Sequence, residues 1–300
     1  MVSNSAAQVF EEHRSLLFAV AYRMLGTVAD SEDVVQDAWL RWSAVDRPEV
    51  AEPKAYLVRI VSNLALDRLR SAQVRRESYV GPWLPEPLLT SPDVAEDAER
   101  AESVSMAMLV VLETLTPLER AVFVLHEVFG FPFGEIAQTL DRSEASVRQL
   151  GHRAREHVQA RRPRFEPGRE QRRAATERFF AAALGGDLNQ LMAVLAPDVT
   201  LWTDGGGKVR AALRTISGAD KVARWLVSVS DREYAGVQPS DMRFRNADIN
   251  GVPGLVIDGP AGPITAITVD VDDLGRVLAV HLVANPDKLG SLAEGRELPL

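Results

Sequence analysis

Residues 130–159 read GFPFGEIAQTLDRSEASVRQLGHRAREHVQ, and the fold of the middle of the chain turns on this stretch. Two helical patterns of unequal length are joined by the short segment DRS, the proportions of a helix-turn-helix. Ile136, Ala137 and Leu140 on the first helix are placed to meet Val147, Gly151 and Ala154 on the second. The small residues Ala137 and Gly151 allow a close crossing. Ser143 is the expected N-cap of the second helix. Its outer face carries Ser146, Arg148, Gln149, His152, Arg153 and Arg155. Arg and Gln are the side chains that read guanine and adenine edges bidentately, and Ser and His add single bonds. Early on a second helix, they match the placement of a recognition helix in a major groove. An ordinary helical hairpin is the alternative reading. His152 alone reads as a phosphate contact or surface residue, not a catalyst.

Upstream, TPLER opens another helix. Thr116 as N-cap, Pro117 at the first helical position and Glu119 three residues after the cap form a capping box. Residues 9–77 look all-helical as well. In SEDVVQDAWLRWSAV the residues Val35, Ala38, Trp39, Trp42 and Val45 form one buried stripe, with Ser31 or Asp30 as expected cap. The opposite face carries Asp33, Gln36, Asp37 and Arg41, which by itself reads as solvated. After the loop DRPEVAEP comes KAYLVRIVSNLALDRLRSAQVRRE, with Leu57, Ile60, Val61, Leu64 and Leu69 inward. Tyr56, Arg59, Asn63, Arg68 and Arg70 lie largely off that face. An aromatic, an amide and several arginines have the chemistry to meet phosphates and base edges.

Between these blocks lies YVGPWLPEPLLTSPD, where Pro82, Pro85 and Pro87 forbid a helix and imply extended structure. A linker needs neither Trp83 nor paired leucines, so Trp83, Leu84 and Pro85 are expected to dock against something. The net charge of −8 is unevenly spread. Residues 55–76 hold five Arg against one acid, residues 141–164 seven Arg against three acids, and residues 86–102 six carboxylates against one Arg. Two basic patches separated by an acidic tether fit a chain that touches nucleic acid twice.

Prolines 163 and 167 with Gly168 end the second block, and the texture then changes. ATERFFAAALGGDLNQLMAVLAP reads as two helices. VTLWTD, KVRAALRTI, MRFRNADI, PGLVID, ITAITVDVD and VLAVHLVA read as strands, with the helix ADKVARWLVSVS among them. Helices followed by a curved antiparallel sheet make an α+β domain. The absence of cysteine excludes disulfides and thiolate metal sites. No apolar run reaches the length of a membrane span, and the N-terminus lacks the order of a signal peptide, so the expectation is a cytoplasmic protein without membrane contact.

DSEDVVQDAWLRW, AYLVRIVSNLALDRLR and TPLERAVFVLHEVFGFPFGEIAQTLDRSEASVRQLGHRAR together resemble regions two and four of extracytoplasmic-function (ECF) sigma factors of the sigma-70 family. The last domain resembles a SnoaL-like α+β cone. WLPEP, DGGGK (Asp204, Gly205, Gly206, Gly207, Lys208) and NPDKL (Asn285, Pro286, Asp287, Lys288, Leu289) are similar to motifs of the SigJ-type group, in which such a domain is fused after region four. The resemblance implies region two over 1–78, a tether over 79–107, region four over 108–162, a linker over 163–173, the SnoaL-like regulatory domain over 174–290 and a tail over 291–300. It implies core RNA polymerase and promoter DNA as partners and no cofactor. Asp33, Gln36, Asp37 and Arg41 would then bind polymerase. The loop Ser43–Pro53 with Tyr56, Arg59, Asn63, Arg68 and Arg70 would engage the −10 element, and the helix Ser143–Arg155 the −35 element. Leu150 departs from the basic residue common in the group; it reads either as a thymine-methyl contact or as a packing residue.

A cone fold commonly encloses a pocket, and Trp202, Asp204, Lys208, Tyr234 and His281 are its polar or aromatic candidates here. Fold does not imply function. Catalysis is not the expectation, while an apolar ligand in the cone stays open. Three successive glycines in DGGGK suit a backbone that another segment approaches closely. The tether, with Trp83 and Leu84 as anchors, is the expected visitor, near Asp204–Lys208 or Asn285–Leu289.

Overall fold

Helix ends set the layout of the first part of the chain. The computed structural model describes residues 6–44, 50–90, 104–161, 168–230, 232–295 and 297–298. Helix α1 (Ala6–Leu25) closes on Gly26, whose φ of 72° turns the chain while its N–H bonds Tyr22 O at 2.7 Å. Helix α2 (Val28–Ser43) restarts at once, its cap position three or four residues before the cap expected at Asp30 or Ser31. Thr27 is the N-cap position and makes no side-chain cap bond. Its hydroxyl donates to Asp30 Oδ2 at 2.9 Å, and the buried Ser31 hydroxyl donates to Thr27 O at 2.5 Å. Val34, Val35, Ala38 and Trp42 form the buried stripe; Trp39 is half-buried, edge-on to Phe10 at 5.2 Å. Val45 and residues 46–49 of the expected −10 loop lie outside the described residues. Helix α3 (Pro53–Glu77) buries Leu57, Ile60, Val61 and Leu69, with Leu64 half-buried.

Contacts divide the chain into two units, Met1–Glu77 with Met108–Arg162, and Ser78–Ala107 with Pro163–Leu298. In the first, α4 (Met106–Leu112) leads to α5 (Pro117–Phe123), where both halves of the Thr116/Glu119 capping box form. Helix α5 widens into a π turn over Val124–Val128. Helices α6 (Phe133–Leu140) and α7 (Glu144–Gln159) are the helix-turn-helix, turned by Asp141 at φ 51° and capped by Ser143, which accepts from Ser146 N at 3.3 Å. Ile136, Ala137 and Leu140 are buried with Val147, Gly151 and Ala154, and Leu150 is buried too, so it packs.

The two helical regions share this unit. Arg120, only 3% exposed, donates to Met24 O (2.8 Å) and Glu113 Oε1 (2.6 Å). Arg76 donates to Leu25 O at 2.8 Å and pairs with Glu113. Both guanidiniums thus sit at the C-terminus of α1, where the helix dipole favours cations. Burial pulls Arg120 down to about 9, still charged at neutral pH.

In the second unit, α8 (Arg169–Leu184) and α9 (Leu188–Val194) precede the sheet. Its strands are β1 (Leu89–Thr90), β2 (Leu195–Asp204), β3 (Ile216–Ser217), β4 (Arg243–Ile249), β5 (Val252–Gly259), β6 (Gly262–Val271), β7 (Val277–Val283) and β8 (Glu297–Leu298). They lie in the order β3-β2-β7-β6-β5-β4-β1-β8. Pairing is antiparallel except for β2 with β7 and β1 with β8, so the sheet is mixed rather than antiparallel throughout. Helix α10 (Ala219–Ser230) and α8 cover one face, packing Phe179, Phe180, Ala223 and Leu226 against Leu201, Leu255, Ile267, Val280 and Leu282.

The expected strand KVRAALRTI is a correction: it is a loop up to Ile216. Thr203 Oγ1 donates to Ala212 O (3.1 Å) and accepts from Ala212 N (2.8 Å). Those backbone groups are satisfied by a side chain, so no ladder is needed. Two short strands come from segments read as tether and tail. Leu89 pairs with Ile249 on one side and with Glu297 on the other, so β1 closes the edge that β4 would expose.

Candidate functional site

Three clusters carry the polar chemistry. On α7, Arg148, Gln149, His152 and Arg153 are exposed, with Ser146 and Arg155 partly so, above the buried Val147, Leu150, Ala154 row. Each arginine has a carboxylate partner within its own domain, Arg148 with Glu144 (2.5 Å), Arg153 with Glu119 (3.2 Å) and Arg155 with Glu127 (2.5 Å), and His152 Nε2 lies 3.5 Å from Glu156.

The second cluster joins α2 to α3. Arg68 lies 3.2 Å from Asp30, 3.0 Å from Asp33 and 3.5 Å from Asp37. Two groups that the sequence resemblance divides between polymerase and DNA therefore form one charge network. Gln36 and Arg41 are exposed on the same helix. Arg59 and Arg70 are exposed, and Arg70 pairs with Asp67 at 3.1 Å. Tyr56 tilts against Trp42, ring centroids 6.0 Å apart. Asn63 Nδ2 donates to Thr139 O of α6 at 3.1 Å. Tyr56 and Arg59 line a cleft of about 620 Å³ that Glu135 and Thr139 of α6 border.

The third cluster holds the tether. Asp204, fully buried at the end of β2, accepts four bonds. Tyr79 Oη (2.6 Å) and Gly206 N (3.1 Å) reach Oδ1; Leu84 N (2.9 Å) and Lys288 Nζ (2.7 Å) reach Oδ2. Lys288 also donates to Leu84 O at 2.5 Å, and its Nζ lies 4.0 Å from the Trp83 ring centroid and 5.1 Å from that of Tyr79. Asn285 Nδ2 donates to Tyr79 Oη at 2.8 Å, and its Oδ1 caps the following turn by accepting from Asp287 N. Burial, with the hydrogen bond and charge of Asp204, raises the Tyr79 hydroxyl well above its ordinary value. The glycines are explained by approach: a side chain at Gly206 (φ 60°) would run into Asn285, and one at Gly207 (φ 72°) would meet Val80 at 3.2 Å. Gly205 lies under Val209 and Ala211 of the returning loop.

Leu84, Pro85, Glu86, Pro87 and Leu88 are buried, and Trp83 is half-buried. Ser291 Oγ donates to Pro87 O (2.8 Å), and Leu88 exchanges bonds with Asn250 (N to Oδ1 3.1 Å; Asn250 N to Leu88 O 2.8 Å). Lys208 and Asp287 pair at 2.6 Å on the surface, Pro286 is exposed and Leu289 buried. Tyr79, Asn250 and Ser291 escaped the sequence reading. Asn250–Gly251, both at positive φ, is a hairpin signal that marks the site of the Leu88 contact.

The five cone candidates do not converge. Tyr234 packs with the core under α8 and α10, where burial pushes its hydroxyl up to about 12. Trp202 pairs in register with His281, on the strand face opposite the core residues Leu201 and Val280. His281 Nδ1 lies 3.6 Å from Asp270, and burial lowers its pKa. Asp204 and Lys208 serve the tether site. Among the described residues no His, Cys, Asp and Glu group is arranged to hold a metal, and no helix is long and apolar enough to cross a membrane.

The Sigma-70 region 2 family matches residues 9–75, and Sigma-70, region 4 matches residues 105–158. The chain belongs to the ECF RNA polymerase sigma factors of the sigma-70 family. It is 43% identical to the ECF RNA polymerase sigma factor SigJ of Mycobacterium tuberculosis, over 97% of this chain and 96% of that protein. A probable ECF RNA polymerase sigma factor SigI of the same species is 34% identical, over 86% and 90%. The crystal structure of Mycobacterium tuberculosis SigJ superposes with a TM-score of 0.75 at 39% identity, covering 97% of this chain and 99% of that one. Members of the family bind core RNA polymerase and promoter DNA, and these relatives are sigma factors rather than enzymes.

Proposed function

We propose that this sigma factor directs initiation at promoters read by α7 at the −35 element and by α3 at the −10 element, with its C-terminal unit controlling the tether. Asp33, Gln36, Asp37 and Arg41 on α2 form the polymerase contact. Tyr56, Arg59, Asn63, Arg68 and Arg70 serve the −10 element, and Ser143, Ser146, Arg148, Gln149, His152, Arg153 and Arg155 the −35 element. The observation that carries control in cis is the buried Asp204–Lys288 pair, with 0% and 7% side-chain exposure, closed by tether atoms of Tyr79 and Leu84. A buried ion pair is strongly favourable only while its remaining bonds are made. Withdrawing the tether would strip Asp204 of two of its four donors, so tether position and C-terminal domain state are coupled.

A second device supports control within the first unit. Asn63 is bonded to α6, and Tyr56 and Arg59 face the cleft beside it. Engaging the −10 element with these groups includes parting α3 from α6.

The test is transcription from a promoter with paired −35 and −10 elements, reconstituted with core polymerase and either the intact chain or Asp204→Asn. The proposal expects specific initiation by the intact protein and an altered initiation level in the variant. A protein that binds promoter DNA but never associates with core polymerase would instead be a repressor using the helix-turn-helix alone. Unchanged initiation in Asp204→Asn would remove the control in cis.

A further inference from the structure

The −35 helix bears three arginines, and the structure separates their roles. We infer that Arg148 is the arginine held ready to read a base, and that Glu144 and Phe133 are its positioning residues. The inference rests on the −35 reading given above and extends it to residues that reading does not include.

Arg153 and Arg155 turn back onto their own domain, Arg153 to Glu119 at the start of α5 and Arg155 to Glu127 in the π turn. Arg148 is held differently. Its Nε (3.0 Å) and Nη2 (2.5 Å) both donate to Glu144 Oε1, one turn earlier on the same helix. Its guanidinium carbon lies 5.2 Å from the Phe133 ring centroid. Phe133 is itself fixed. His126 stacks on it at 3.8 Å and is anchored by its Nδ1 to Phe131 O at 2.9 Å. A side chain at Gly151 would meet the Phe133 ring at 3.0 Å, so the glycine leaves the room that the ring occupies. The small residue in the helix crossing thus has a second role: it seats the aromatic that backs the arginine.

Glu144 thus holds Nε and Nη2 and leaves Nη1 outside the ion pair. Bidentate reading of guanine O6 and N7 needs two free donors of the planar fork, and Nη1 with the second Nη2 hydrogen supplies them. The pair is solvent-exposed, 62% for Arg148 and 48% for Glu144, so it adds little to stability, and its effect is on orientation. A side chain fixed before binding loses less freedom on binding.

The experiment uses the full chain with core polymerase and a pool of promoter duplexes randomised through the −35 element, sequenced before and after selection for bound complexes. Arg148→Ala is expected to flatten preference at one base pair by about 5- to 150-fold. Glu144→Gln and Phe133→Leu should flatten that same base pair by roughly 2- to 12-fold, the size of one side chain's ordering cost. Glu144→Asp should restore part of it, and Glu144→Gln with Arg148→Ala should be no flatter than Arg148→Ala alone. Arg153→Ala should lower binding evenly across sequences. The Glu144 variants keep the test intact if Phe133→Leu unfolds the domain. If Arg148→Ala flattens a position that Glu144→Gln leaves sharp, the positioning role is wrong and the −35 reading stands. If Glu144→Gln flattens a different base pair, Glu144 reads a base itself and the inference fails. If Arg148→Ala flattens nothing while initiation stays specific, the −35 assignment of this arginine falls, and the inference with it.

Discussion

Replacing Lys288 by Met should release the tether. Lys288 Nζ touches Asp204 Oδ2 and Leu84 O, and the lysine is 7% exposed against a carboxylate that is fully buried. Met has similar length and no charge, so the Asp204 side chain would be left with three neutral donors and no counter-ion. Removing one partner of a buried ion pair costs about 3–5 kcal/mol. The cheapest relief is local: the tether leaves, and water reaches Asp204. With about 1.36 kcal/mol per factor of ten, the free energy of local opening should fall enough to speed exchange of the Leu84 and Leu88 amides by roughly 10²·²- to 10³·⁷-fold. Both amides donate to side chains of the C-terminal unit, to Asp204 and Asn250, which makes them direct reporters. Amide exchange on the intact chain is the appropriate assay, because a chain of two units need not unfold in one step. Strands β6 and β7 should keep their protection. The paired change Asp204→Asn, Lys288→Met removes both charges and should recover part of the loss, a coupling of about 1–3 kcal/mol. Unchanged Leu84 exchange in Lys288→Met, or strict additivity in the double variant, refutes the reasoning.

Trp83→Ala should loosen the same segment less than Lys288→Met, since a cation–π contact contributes about 0.5–2 kcal/mol; exchange over residues 79–90 ranks the two. Gly206→Ala forces a side chain toward Asn285 at a φ of 60°, so it should cost more than about 1 kcal/mol and speed exchange at Leu84. Burial holds the His281 pKa below its ordinary 6.5, so its contribution is complete above that value and is lost as pH falls below it; Asp270 opposes the shift. The melting temperature of the C-terminal unit should therefore drop between pH 7 and 5, and drop less in His281→Gln. Arg153→Ala should reduce the salt slope of promoter binding by about one, with base preference intact.

Much of the architecture was legible because local rules and burial agree. The capping box at Thr116, the Ser143 cap and the apolar rows of α6 and α7 each follow from residues a few positions apart, and the structure keeps them. Where local signals were equivocal, the reading slipped. Lys208–Ile216 has strand-like composition, yet Thr203 takes the backbone groups of Ala212 and the segment stays a loop. Helix α2 starts at Val28 because Gly26 ends α1 there, a cue that outranks the polar pair at Asp30 and Ser31.

By itself the sequence determined the helical regions, the helix-turn-helix, the α+β class of the last domain and the unusual character of the WLPEP stretch. All of these depend on periodicity, caps and prolines, which act over one or two helical turns. Only the tertiary structure decided which groups meet across long separations. Tyr79 reaches Asp204 and Asn285, Leu88 reaches Asn250, and Leu89 adds a strand between β4 and β8. Asn63 finds a carbonyl on α6, and Arg68 gathers three aspartates of α2. No local pattern encodes such pairs, because buried polar groups take whichever partner the fold brings within hydrogen-bond reach, and that partner is set by the packing of the whole unit.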